Sequence, residues 1–164
     1  MTDAPSNALS LYPGWDTFQD LLVKTIAPLT ADQLDLRSAP RLRSVSENCR
    51  HIIGARGRWC HEILEIGGDE SAGYGRWDEP DMPPRTAAAL ATALQDSWRI
   101  LRDALAAWGN ADMDHSSPNP EPEPGQPDIL TRRWVIWHLI EHDIFHGGEI
   151  SQILGAHGLT GLDL

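Results

Sequence analysis

A chain of 164 residues, 41% of them hydrophobic, can bury the core of one domain and offers no boundary for a second, so 1–164 is expected to be a single domain. Thirteen basic residues face 24 acidic ones, and the formal charge of −11 excludes a phosphate-tracking surface; the one basic cluster, Arg37, Arg41 and Arg43, reads as solvated. No window reaches the ~18 consecutive apolar residues of a membrane span, and the polar start Met1 to Leu11 lacks a signal peptide's basic end and apolar run, so the expectation is a cytoplasmic protein with no nucleic-acid and no membrane partner.

Four segments carry helical periodicity, and none reads as a strand. The first runs from about Trp15 to Ala27, with Trp15, Phe18, Leu22 and Ile26 on one stripe and Pro28 ending it. Thr30 to Leu36 suits a one-turn helix. The second segment opens on a capping box, Ser44-x-x-Glu47, and continues to Ile66 before Gly67-Gly68. Inside it, Cys49 and Cys60 lie about 16 Å apart along the axis, too far for a disulfide, and read as reduced, buried small hydrophobes.

The third segment opens near Thr86, after Pro83-Pro84, and runs to Trp108; Gly109-Asn110 stops it. The fourth extends from Thr131 to about Ala156, closed by His157-Gly158. Trp59, Trp98, Trp134 and Trp137 are expected in the core. Residues 109–130 hold five prolines between Pro118 and Pro127, an extended run that is neither helix nor central strand. The Gly- and Pro-rich stretch 67–85 is long enough to return along a helix of ~30 Å. Helices two and three of an all-α bundle would then run parallel.

The fourth helix carries the chemistry. His138, His142 and His146 recur every four residues, a rotation of only about 40° per step. His142 and His146 can therefore present imidazoles to one point, as a helical His-x-x-x-His does when it binds zinc or a similar ion. His138 shares that spacing with His142, one turn earlier. Gly147 and Gly148 each cost about 1 kcal/mol relative to Ala inside a helix, which implies close approach of another helix or a ligand. Glu149, nearly back on the His142 face, is placed to orient an imidazole. A third ligand has to come from elsewhere. His51, set between Cys49 and Ile52-Ile53, is better placed than His61, His115 or His157. On spacing alone, plain helix-surface placement of the pair and a hydrogen-bonded core role for His51 stay open.

The segment His138-Leu-Ile-Glu-His142-Asp-Ile-Phe-His146-Gly-Gly-Glu-Ile150 resembles the last-helix signature of DinB/YfiT-like proteins, a His-x-x-x-His before a short Gly-containing tail. Ser44-Val-Ser-Glu-Asn-Cys-Arg-His51-Ile-Ile-Gly-Ala resembles their second helix, where a His supplies the remaining ligand. The resemblance covers essentially the whole chain in helix order and loop lengths. It implies a four-helix bundle of up-down-down-up topology, a divalent metal (zinc or nickel) on His51, His142 and His146, and a homodimer. It also implies a thiol-dependent S-transferase or isomerase, like relatives that use bacillithiol or mycothiol, with a low-molecular-weight thiol and an electrophile as substrates. Gly147 stands where a basic residue is common in the family and Glu149 where Gln is, which leaves the substrate class open.

Three neutral imidazoles leave a double charge and an open position, the layout of a catalytic site. A metal-dependent hydrolase and a non-catalytic metal-binding stress-response or dimerisation module are the competing expectations. Asp143, Glu149 and Glu141 are the candidate proton relays. A deep pocket walled by 67–85 or the proline loop favours an enzyme, and a fourth protein ligand favours a structural role.

Overall fold

The computed structural model describes residues 7–122 and 124–163. Its helices are α1 (Pro13–Ile26), α2 (Ala31–Leu34), α3 (Val45–Arg58), α4 (Gly68–Gly75), α5 (Ala87–Ala107) and α6 (Arg132–Ala156). Side chains that satisfy orphan backbone N–H groups set where most of them begin. Thr30 and Ser44 each close a reciprocal capping box, with Gln33 and Glu47 respectively. Thr86 and Thr131 accept from the backbone N–H groups of Ala89 and Trp134. Glu47 is clasped in addition by the Arg37 guanidinium, which ties the α2–α3 connection to the first turn of α3.

The predicted α1 stripe is buried: Trp15, Phe18, Leu22 and Ile26 are all 5% exposed or less. It packs on α5, where Trp15 and Trp98 meet at 4.6 Å between ring centroids and Trp98 Nε1 donates to Asp16. Ile52 and Ile53 of α3 and Val135, Ile136 and Leu139 of α6 complete the same core. At its centre lies a polar knot. The fully buried Arg56 donates to Asp143 at 2.6 Å and to Gln19 Oε1 at 2.6 Å, and Trp15 Nε1 donates to Asp143 at 2.9 Å. Cys49 and Cys60 are buried and free, as expected.

Three features differ from the sequence expectation. The second helix does not run on as α-helix to Ile66; after Arg58 it widens into a π turn, Trp59–Ile63. Within 67–85, residues Gly68–Gly75 form α4, entered through positive φ at Gly67 (75°) and Gly68 (50°), a conformation that glycine adopts without strain. Gly57 makes that helix possible, because a Cβ there would stand 2.3 Å from the backbone nitrogen of Gly75. The third difference is a small antiparallel ribbon, β1 (Ser116–Pro118) with β2 (Ile129–Thr131), where no strand was expected. A two-stranded ribbon is all edge, so Pro118 removes no central ladder bond.

The tryptophan expectation holds only in part. Trp98 is core, Trp59 and Trp134 are half-buried, and Trp137 is 59% exposed. Trp137 shares the outer face of α6 with exposed Ile144 and Phe145, so this helix is apolar on more than its inward side. No helix among the described residues is long and apolar enough to cross a membrane.

Candidate metal centre

Where α3 packs against α6, three imidazoles converge. His51 comes from α3, and His142 and His146 come from consecutive turns of α6. Their ligand-capable atoms all lie within 4.8 Å of one another. His51 Nε2 and His142 Nε2 are 3.2 Å apart. Nitrogens held at ~2.0–2.1 Å by one ion stand about 3.0–3.4 Å apart, so this spacing fits shared coordination.

The backs of two rings are fixed. His51 Nδ1 lies 2.8 Å from Asp78 Oδ2, and His146 Nδ1 lies 2.7 Å from Glu149 Oε2. A carboxylate can only accept, so each Nδ1 carries the proton and each Nε2 turns a lone pair toward the centre. The buried His142 Nδ1 has no partner among the described residues. Moving the His142 proton to Nε2 would let it donate to His51 but would leave that buried Nδ1 as an orphaned acceptor. Leaving it on Nδ1 sets two lone pairs face to face at 3.2 Å. A cation between the rings resolves the conflict, so this donor set fits a divalent metal.

The electrostatics agree with neutral ligands. Burial, reinforced by the charges of His146 and His51, pushes the His142 imidazole down to about 2. Burial likewise lowers His146, against the opposing hydrogen bond to Glu149. For Asp78 burial alone would raise the pKa, but hydrogen bonds from His51 and Arg58 outweigh it and hold the carboxyl well below the usual range. Asp78 therefore stays an anion behind His51, the arrangement that orients a ligating imidazole.

Glycines admit these partners. A Cβ on Gly54 would fall 2.3 Å from Asp78 Oδ1, and one on Gly147 would fall 2.5 Å from the Phe18 ring. The expectation that the Gly-Gly pair permits close approach is thus met at Gly147, by α1. Around Gly148 the space is open.

The remaining sequence candidates separate clearly. His138 stacks on Trp134 at 5.1 Å, pairs with Glu141 at 3.1 Å and lies outside the cluster. His61, His115 and His157 are exposed and elsewhere. Glu149 backs an imidazole as expected, that of His146 rather than His142. Asp143 is buried against Arg56 and so serves the core. Sequence reasoning missed Asp78 and Arg58, because a lone aspartate in a Gly- and Pro-rich stretch gives no periodic signal. Among the described residues no carboxylate or cysteine joins the three histidines as a fourth ligand.

The DinB superfamily profile matches residues 15–150, which takes in all three histidines. The chain belongs to the DinB superfamily. A DinB-like protein from Bacillus cereus shares the fold, with a TM-score of 0.74 over 98% of this chain and 99% of its own at 16% sequence identity. Comparison with curated proteins yields no match. Within this DinB-superfamily chain the histidine cluster lies inside the matched region, as does the proline loop with its ribbon between α5 and α6.

Proposed function

We propose that His51, His142 and His146 hold one divalent ion, zinc or nickel, and that the protein is a thiol-dependent S-transferase or isomerase. The observation that carries the metal assignment is the convergence of three imidazoles, two of them backed by carboxylates and the third set with its Nε2 only 3.2 Å from that of His51. A bound ion would supply Lewis acidity and favour the thiolate form of a low-molecular-weight thiol beside it. The chain's own residues do the rest. Asp78 and Glu149 keep two rings in the ligating tautomer. Trp59, Trp134 and His138 pack together, His138 stacked on Trp134 with Trp59 against both, into an aromatic wall beside His142 suited to shielding an electrophilic substrate from water.

The reading includes a single domain with α3 and α5 parallel. Supporting it, His51 meets His146 while Trp59 meets Trp134, so α3 opposes α6; Trp15 reaches Asp143 while Phe18 abuts Gly147, so α6 runs with α1; and Gln19 reaches Leu94 while Asp16 reaches Trp98, so α1 opposes α5. It also includes a cytoplasmic homodimer without nucleic-acid partners. The outer α6 face of Trp137, Ile144 and Phe145 is the surface we assign to the dimer, since exposed large apolar side chains grouped on one helix favour association.

Elemental analysis after loading with zinc or nickel should give one ion per chain. Alanine at His142 or His146 should abolish it, and His138→Ala should keep most of it. Asp78→Asn should weaken affinity about 10–100-fold. Turnover of a generic electrophile should require both metal and thiol; hydrolysis without thiol would move the assignment to a hydrolase. Metal retained in His142→Ala, or lost only in His138→Ala, would refute the ligand set.

A further inference from the structure

Beside the centre opens a cleft of about 500 Å³, reaching His51 at its inner end and walled by the α2–α3 connection and residues 78–80. Four arginines line it, Arg37, Arg41, Arg43 and Arg50, in a chain with only 13 basic residues and a net charge of −11. Their neighbours account for some of that charge. Arg37 is spent on Glu47, and the carboxylates of the facing wall are taken by others, Asp78 by His51 and Arg58 and Glu79 by Arg76. Arg50 donates only to main-chain carbonyls, those of Trp77, Glu79 and Met82. Arg41 and Arg43 are exposed and make no hydrogen bond or ion pair among the described residues.

Elsewhere Arg76, Arg99, Arg102 and Arg133 pair with carboxylates and Arg85 and Arg132 lie over tryptophan rings, whereas among the described residues Arg41 and Arg43 have neither kind of partner. Their planar donor forks match the oxygens of an anion. The cleft is thus electropositive and continuous with the histidine cluster.

We propose that this cleft receives the carboxylate of the small molecule that reacts at the three-histidine centre, with Arg41 and Arg43 as the residues that recognise it. The inference rests on the metal-centre reading and adds the substrate class to it. Glu47 is matched by Arg37, Asp78 by Arg58 and Glu79 by Arg76, which leaves Arg41 and Arg43 uncompensated, and each planar fork can seat a carboxylate through two parallel hydrogen bonds.

The test is an NMR titration of the metal-free protein at low ionic strength with succinate, its neutral isostere succinamide, and inorganic phosphate. Succinate should shift the resonances of residues lining the cleft, and succinamide should not. The double variant Arg41→Gln/Arg43→Gln, with its helix content checked by circular dichroism, should weaken succinate at least tenfold. His146→Ala should lose metal yet keep succinate affinity within a factor of three. Equal response to succinamide, tighter binding of phosphate, unchanged affinity in the double variant, or no succinate binding would each overturn the proposal. Stoichiometric metal without succinate binding sinks the cleft assignment alone. Arginine-dependent succinate binding in a chain that takes up no metal leaves the cleft standing and sinks the metal-centre reading.

Discussion

Gly147 and Gly148 are adjacent on one helix and face opposite demands. A methyl group on Gly147 would meet the Phe18 ring at 2.5 Å, whereas one on Gly148 would meet nothing within 4 Å. Gly148→Ala should therefore stabilise the protein by about 0.5–1 kcal/mol, through lower unfolded-chain entropy and better helix propensity. Gly147→Ala should destabilise it, by about 1–3 kcal/mol if Phe18 is forced aside. Urea unfolding of the two variants checks both signs; destabilisation by Gly148→Ala would mean that an unseen neighbour packs there. The sequence showed that the pair needed a reason but not which glycine had it, since that depends on where α1 crosses. The histidines were more legible. An i,i+4 pair is local geometry, and His51 stood out beside it through family resemblance. Asp78 was invisible because its role arises from a fold contact 27 residues away from His51.

At the scale of elements, caps and stripes could be read in advance because each is encoded within one or two turns: Ser44 with Glu47, Thr86, and Trp15 to Ile26. What escaped was α4, whose glycines oppose helix formation and which stands because its backbone packs on Gly57. The β1–β2 ribbon escaped as well, since its two strands are three residues each and separated by prolines. The bundle's elements are joined through the Arg56–Asp143 knot, which links α3 and α6 to Gln19 and Trp15 of α1 and to the Leu94 carbonyl of α5. Both ends of the ion pair are fully buried, so removing one leaves an uncompensated charge in the core. Asp143→Ala should cost about 3–5 kcal/mol, and Arg56→Met/Asp143→Leu together should cost far less than the two single changes combined. Additive losses in denaturant melts would show that the two groups do not act as a pair.

For the whole molecule, acid response and the proposed metal binding are linked through the same imidazoles. In the unfolded chain His142 titrates near 6.5, while burial in the fold pushes it down to about 2; His146 is shifted the same way. Between those limits the unfolded chain holds more protons, so acid favours unfolding. The contribution of these rings to metal-free stability is complete above pH 6.5 and is lost progressively as pH falls toward about 2. Asp78, held below the usual carboxylate range, adds a loss of the same sign at lower pH. Metal acts in the opposite direction, because an ion that binds the folded state adds RT ln(1 + [L]/Kd), about 2.7 kcal/mol at a hundredfold excess over Kd. Protons compete for the His142 ring in the unfolded chain but scarcely in the fold. Zinc should raise the thermal midpoint of the wild type at neutral pH, and the midpoint of the metal-free protein should fall below pH 6.5. His142→Ala should abolish the zinc increment and flatten part of the acid slope at once, since one imidazole carries both. A zinc increment that persists in His142→Ala, or an acid slope unchanged by it, would separate the two effects and place the metal or the titration elsewhere.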